Sequence, residues 1–263
     1  MSNSVVMVGC GNMGGALLAQ WAKLDGVTMT VIDPAGPQVP DGVDVVASAD
    51  ALSGRAFDAL AVAVKPQLID AAVPQAAGLL KEHGFALSIA AGTSAATISR
   101  AVGGRRAIRL MPNMPARIGR GVSGLFAQDG IGPDQKKLAD RMGEAVGAAI
   151  WVADEDQIDR ITAAAGSGPG YVYEFARTYQ LAVQELGFDE DQSRALVLQT
   201  IAGCMALAEA SGESFEALRD SIMSKGGTTA AGVSTLNEND VLTKHVKGAL
   251  QAAYDRACEL RAS

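Results

Sequence analysis

The rhythm of apolar and polar positions changes once along the chain. Up to Val152, apolar residues gather in short β-rich runs: Val5 to Val8, Thr28 to Asp33, Asp44 to Val46, Leu60 to Val64, Ala86 to Ile89, Ala107 to Leu110, Val122 to Phe126 and Ala149 to Val152. Between them a 3.6-residue period predicts helices opening at Ala16, over Gln67 to Lys81, over Ala95 to Val102 and over Pro133 to Val146. Strands alternating with helices predict an α/β fold, a Rossmann-like doubly wound parallel sheet with a change of strand order or direction near its end.

Beyond Trp151 the β signal stops. Phe175, Ala176, Tyr179, Ala182, Val183 and Leu186 keep helical spacing as far as Gly187, a stop signal. Asp189 and Gln192 have the spacing of a capping box for a long helix closed by Gly212. A shorter helix is expected over Ser214 to Met223, another after Gly226-Gly227, and a last one over Asp240 to Leu260. On that last helix Leu242, Val246, Ala249, Leu250, Ala253, Ala257 and Leu260 share a face. The expected division is a dinucleotide-binding domain over 1–153 and an all-α dimerisation and substrate domain over 154–263. Many alanines and few large aromatics in these helices leave apolar faces for another subunit, so a homodimer or higher homo-oligomer is expected.

The first strand runs into Gly9-Cys10-Gly11-Asn12-Met13-Gly14, and Ala16, Leu17, Leu18 and Trp21 then open a helix. A bare G-x-G-x-x-G is weak in a chain with 30 glycines, but this one lies between strand and helix, and a second strand ends in Asp33 about 20 residues on. The first glycine suits a tight turn, the second lets backbone approach a pyrophosphate, and the third lets helix pack on strand. N–H groups at the helix start would hold the phosphates. A carboxylate at Asp33 accepts hydrogen bonds from a ribose diol and repels a 2′-phosphate. Pro34 to Val43 contains no lysine or arginine to offset it. NADH is therefore the expected coenzyme over NADPH; the plainer reading of Asp33 is a cap for the turn at Pro34.

Of 263 residues, 48% are hydrophobic and 19% charged, a globular composition that argues against disorder. A net charge of -7 argues against general affinity for nucleic acid or an anionic membrane and favours a small-molecule ligand. Cys10, Cys204 and Cys258 form no C-x-x-C pair and are odd in number, which predicts a reduced, cytoplasmic chain. With only His83 and His245 besides, no soft-metal cluster is expected. The apolar start lacks the basic leader of a signal peptide, and no apolar run is long enough to span a bilayer.

Further along, Ala63-Val64-Lys65-Pro66 ends a strand at the carboxyl edge of the sheet, where open α/β folds bind ligands, and Pro66 suits a first helical turn. Lys65 would face the cofactor there or snorkel from the strand end. Ile89-Ala90-Ala91-Gly92 ends the next strand in small residues that let a nicotinamide ring lie against backbone. In Gly166-Ser167-Gly168-Pro169, Pro169 has the place of a first helical residue with Ser167 or Gly168 as cap, which reads as a helix start or as an anion site. Gly226-Gly227-Thr228-Thr229 sets flexible backbone and two hydroxyls before another helix. Two such starts around one small acid would grip its carboxylate.

The glycine turn, Ala63-Val64-Lys65-Pro66-Gln67, Met111-Pro112-Asn113-Met114-Pro115, Gly166-Ser167-Gly168-Pro169-Gly170-Tyr171 and Ser224-Lys225-Gly226-Gly227-Thr228-Thr229 occur in an order and spacing that resembles pyrroline-5-carboxylate reductase over essentially the whole chain. The resemblance implies NAD(P)H-dependent reduction of (S)-1-pyrroline-5-carboxylate to L-proline. It implies coenzyme contacts from Val8, Gly9, Gly11, Asn12, Met13, Gly14, Ala63, Val64, Lys65, Pro66, Ile89, Ala90 and Ala91, whereas the ribose contact of Asp33 rests on its place in the fold. It implies substrate contacts from Glu155, Gly166, Ser167, Gly168, Gly227, Thr228 and Thr229, with Thr229 as the catalytic hydrogen-bonding partner. Taken alone, Glu155 reads as a solvated charge beside Asp154 and Asp156. Lys225, Gly170 and Ser221 depart from the proline, alanine and asparagine usual in the family. Three alternatives remain: a reductase of another cyclic imino acid, a β-hydroxyacid dehydrogenase-like enzyme, and a non-catalytic coenzyme-binding module. The glycine-threonine segment argues against the second, which needs a catalytic lysine.

Overall fold

Strand-forming runs and helical runs alternate as the apolar pattern predicts. The computed structural model describes residues 2–262. Among them eight strands form one sheet: β1 (Asn3–Val8), β2 (Val27–Ile32), β3 (Asp44–Val46), β4 (Phe57–Val62), β5 (Leu80–Ser88), β6 (Ala107–Met111), β7 (Gly121–Ala127) and β8 (Gly147–Trp151), in the order β3-β2-β1-β4-β5-β6-β7-β8. All neighbours are parallel except β6 and β7, which supplies the expected change of direction. The intervening helices are α1 (Asn12–Trp21), α2 (Ile69–Ala77), α3 (Ala95–Ala101) and α4 (Pro133–Glu144).

Because side chains alternate across a strand, each face of this sheet has its own core. Val5, Met7, Ala59, Ala61, Phe85 and Leu87 pack with Leu17, Leu18 and Trp21 of α1 and with Leu138 and Met142 of α4. Val6, Val8, Leu60, Val62 and Ala86 pack with Ile69 and Val73 of α2 and Ile98 of α3 on the other face. Fully buried Trp21 donates its indole N–H to the Met142 carbonyl at 2.8 Å, which joins α1 to α4 and leaves no orphaned donor.

The helix expected over Gln67 to Lys81 is corrected. A 3₁₀ turn, Pro66–Leu68, leads into α2, which stops at Ala77; Leu80 and Lys81 already belong to β5. Gly78 follows the last helical residue, and the β4–β5 register shifts between Phe57 and Ala59, so β5 begins earlier than its apolar run. Apolar periodicity alone does not reveal that irregularity.

After β8 the chain is helical: α5 (Glu155–Ile161), α6 (Gly168–Glu185), α7 (Glu190–Ser211), α8 (Phe215–Ser221), α9 (Thr228–Asn237) and α10 (Val241–Ala262). The predicted capping box is present, with the Asp189 carboxylate accepting from Gln192 N at 2.8 Å, and Gly212 closes α7 in the left-handed region. The chain forms two compact units. One runs as far as Pro169 and takes the chain back from Ala252, and the other is Gly170–Gln251. In the first, apolar side chains are buried in numbers on both faces of the sheet, whereas in the second Val183 and Val197 are the buried apolar residues described.

Candidate active site

Register places the site. Val8 pairs with Ile32 and with Val62, and Val62 pairs with Ser88, so the carboxyl ends of β1, β2, β4 and β5 are level. Gly9, Asp33, Ala63 and Ile89 follow these ends along one edge, the edge at which doubly wound sheets take ligands.

The three glycines differ as their proposed tasks require. Gly9 has φ +86°, and a Cβ on it would meet Val64 Cγ1 at 2.6 Å; on Gly14 one would meet Ala63 Cβ at 3.2 Å. On Gly11 it would meet nothing within 4 Å, so this glycine keeps space open rather than packing. Gly11 is the N-cap of α1, and no side chain caps the N–H groups of Asn12, Met13 and Gly14. Such a helix start is complementary to a pyrophosphate.

Asp33 is tied into this turn. Its Oδ2 accepts from Cys10 N at 2.7 Å, in the middle of the glycine loop, and its Oδ1 accepts from Ala35 N at 2.9 Å. Both readings of the residue therefore have a basis: it caps the turn after Pro34, and it holds a fixed negative charge beside the loop. Burial, and secondarily the Asp33 charge, push the Cys10 thiol up, which keeps it protonated and unreactive.

Lys65 precedes the 3₁₀ turn in extended conformation and is exposed. Ala63 and Val64 are half-buried and Pro66 opens that turn. After β5, Ile89 is half-buried, Ala90 is 6% exposed, and Gly92 turns with φ +65°. Ser94 then caps α3 by accepting from Thr97 N at 3.1 Å.

Glu155 is not a solvated charge. From the first turn of α5 its Oε1 accepts from Ala95 N at 2.6 Å and from Arg109 Nη1 at 3.1 Å. Arg109, on β6, is 2% exposed, and its Nη1 also lies 4.0 Å from Asp159 Oδ1. Asp159 in turn faces Arg261 Nε at 2.6 Å. Burial lowers the affinity of Arg109 for its proton, opposed by Glu155 and Asp159; burial pushes the Asp159 carboxyl up against the opposing pull of Arg261 and Arg109. Asp156, Asp159 and Cys258 offer atoms within 4.8 Å of one another. Asp156 already holds the Tyr254 hydroxyl and Arg160, and Asp159 pairs with Arg261, so protein cations match this negative charge.

α6 opens at Gly168, as the helix-start reading expects, but the approach to it through Ser167 is not open. Thr162–Gly166 form a π-helical turn, and Ser167, at φ −81° and ψ −18°, is itself helical and donates its N–H to Thr162 O at 2.8 Å. Its amide is therefore not a free anion donor. Ala163, Ala164, Ala165 and Gly166 have side chains small enough for the wide turn, and a Cβ at Gly166 would meet Met111 Cε at 3.1 Å. Asn113 holds the turn: its Nδ2 donates to Ala165 O at 3.1 Å while its Oδ1 accepts from Val122 N at 3.0 Å. π-turns of this kind recur at functional sites.

In the second unit the helix-start reading fits. Gly227 is the N-cap of α9 and no side chain caps its first turn. Gly226, at φ +76°, makes the preceding bend; Thr229 is half-buried, and Thr228 and Lys225 are exposed. Sequence reasoning missed Arg109, Asp159 and Arg261 altogether and gave Asn113 no role. Arg109 carried one signal, a lone cation in the apolar run Ala107-Ile108-Arg109-Leu110-Met111.

Comparison with known proteins shows the family. Residues 155–260 match the family model described as pyrroline-5-carboxylate reductase dimerisation. A pyrroline-5-carboxylate reductase from Pasteurella multocida is 33% identical, with 98% of both chains covered. The solved pyrroline-5-carboxylate reductase of Coxiella burnetii superposes with a TM-score of 0.88 at 30% identity, covering 99% of both chains. The pyrroline carboxylate reductase of Plasmodium falciparum, solved with NADP bound, gives 0.84 at 25% identity over 98% of both. From its glycine turn to its carboxyl-terminal helices, the chain belongs to the pyrroline-5-carboxylate reductase family.

Proposed function

We propose that this chain reduces (S)-1-pyrroline-5-carboxylate to L-proline with NAD(P)H. The observation that carries the reading is the glycine turn, with its first glycine at positive φ, its open second glycine and its uncapped helix start, in a chain similar to these reductases from end to end. The bound coenzyme would supply hydride to the imine carbon, ring C2 of the substrate and C5 of the proline formed; the C=N π pair would become the amine lone pair, and the ring nitrogen would take its proton from solvent. A protonated imine is already electrophilic, so the protein's task is to align two rings.

In this reading Gly11, Asn12, Met13 and Gly14, with Val8 and Gly9, would hold the coenzyme's pyrophosphate, and Ala63, Val64, Lys65, Pro66, Ile89, Ala90 and Ala91 would hold the rest of it. Gly166, Ser167, Gly168, Gly227, Thr228 and Thr229 take the substrate, Thr229 as its orienting hydrogen-bond partner. Residues 1–153 serve the coenzyme, and 154–263 the substrate and pairing with a second copy. The exposed apolar side chains of the second unit support a homodimer or larger homo-oligomer. The described residues hold no single helix long and apolar enough to cross a membrane. Three unpaired cysteines fit a reduced, cytoplasmic setting.

NADH is the preferred coenzyme in this proposal, because the Asp33 carboxylate is fixed by two backbone N–H groups where a 2′-phosphate would meet its charge. Oxidation of NADH and NADPH on addition of the imine tests both parts. Turnover with a higher kcat/KM for NADH is expected, and Asp33→Ser with an arginine introduced nearby should reverse the order. Equal or better kcat/KM with NADPH in the parent chain would refute the preference, and coenzyme binding without turnover would refute the activity.

A further inference from the structure

The loop from Ile89 to Ser94 is held on two sides by one chain of charges. On one side Glu155 Oε1 accepts the first N–H of α3, Ala95 N, at 2.6 Å. On the other, Gly92 lies so close to α10 that a Cβ there would meet Leu260 Cβ at 2.9 Å, and the next residue, Arg261, is ion-paired with Asp159 at 2.6 Å. Arg109 lies between the two carboxylates of α5, 3.1 Å from Glu155 and 4.0 Å from Asp159. An ion network of this burial is costly to assemble, and any member left alone is costlier still. Its atoms end on both flanks of the loop proposed to carry the nicotinamide.

We infer that Glu155 is a positioning residue for the nicotinamide-side loop, acting through Ala95 N, and that Arg109, Asp159 and Arg261 hold it and the end of α10 in place. This rests on the proposal that Ile89 to Ala91 contact the coenzyme, and it gives Glu155 a different task from contact with the imine. Its Oε1 is already engaged by two donors, and the loop it fixes sets where the ring sits. Small displacements of a reacting ring cost rate steeply.

The test compares binary dissociation constants for NADH and for ADP-ribose, which lacks the nicotinamide. In Glu155→Ala, ADP-ribose should bind within about twofold of the parent while NADH weakens about tenfold. Glu155→Gln keeps an acceptor for Ala95 N and should restore NADH to within about threefold. Arg261→Ala removes a partly exposed side chain and should shift NADH alone in the same direction, by about threefold. Equal weakening of both ligands, unchanged NADH affinity, or a change confined to the KM of the imine would overturn the inference. If Glu155→Ala does not fold, Arg261→Ala decides by the same ratio. A parent chain that shows no NADH oxidation with the imine would instead count against the proposed activity.

Discussion

The two compact units answer the hydrophobic problem differently. In the first, Val5, Leu17, Trp21, Leu60, Phe85, Ile98 and Leu110 are all at most 1% exposed, in cores on both faces of one sheet. In the second, Tyr173, Phe175, Leu181, Leu186, Leu207, Phe215 and Ile222 are each at least 48% exposed. Monomeric soluble proteins rarely expose large contiguous apolar patches. One unit completes its core within the chain, and the other has an apolar surface that only a second surface can cover, as the match to a dimerisation model over residues 155–260 leads one to expect.

Charging that surface should have the largest effect. Phe175→Asp places a carboxylate on an exposed apolar helix face beside Tyr179, whose ring centroid is 6.1 Å away. Light scattering should show a loss of assembly and, with it, of turnover, while the melting of the sheet unit persists. An assembly of unchanged mass would break the contrast between the units.

The sheet unit should respond to loss of its own packing. Trp21→Ala removes a fully buried indole and its bond to Met142, at a cost of about 3 to 5 kcal/mol in denaturant unfolding. Its assembled mass should not change at native concentrations. A loss of less than about 1 kcal/mol would mean that the core is not organised around α1 and α4.

Within the glycine turn, Gly11→Ala and Gly9→Ala separate binding from folding. The first adds a methyl group where nothing lies within 4 Å, so stability should hold while NADH affinity falls about tenfold. The second forces φ +86° on a side chain that would meet Val64, so stability should fall by about 1 to 2 kcal/mol. The opposite order of effects would show that the two glycines have been assigned each other's roles.

How much of this was readable in the sequence depended on distance along the chain. The glycine turn, Asp33 and the capping box at Asp189 involve neighbouring residues or a fixed strand-helix-strand unit, so spacing alone revealed them. The Arg109–Glu155–Asp159–Arg261 chain joins β6, α5 and the end of α10, and no local pattern pairs residues so far apart. The π-turn at Thr162–Gly166 was invisible for another reason. A single wider turn scarcely changes apolar spacing, and Gly-Ser-Gly-Pro carries the same residues as an ordinary helix start. The exposure of α6 and α7 was legible only as composition, because alanine-rich helices do not reveal which face lacks a neighbour.

The smallest expected effect lies where α10 returns to the sheet unit. The Tyr254 hydroxyl donates to Asp156 Oδ1 at 2.6 Å, and this bond, with a further one to Cys258, pushes its pKa up to about 12. A phenol whose folded value exceeds its unfolded value of about 10 adds stability below that pH and loses it as pH rises through the folded value. Ultraviolet titration should show one tyrosine ionising late, and Asp156→Asn should bring it back toward about 10. Coincident ionisation in both proteins would remove this contact.

The central claim, direct hydride transfer to a cyclic imine, is tested most directly by isotope. With 1-pyrroline-5-carboxylate and NADH deuterated at the transferring position of C4, the chain should form proline with a single deuterium at C5, in light water. Proline free of deuterium, or NADH left unconsumed in the presence of the imine, would contradict the account.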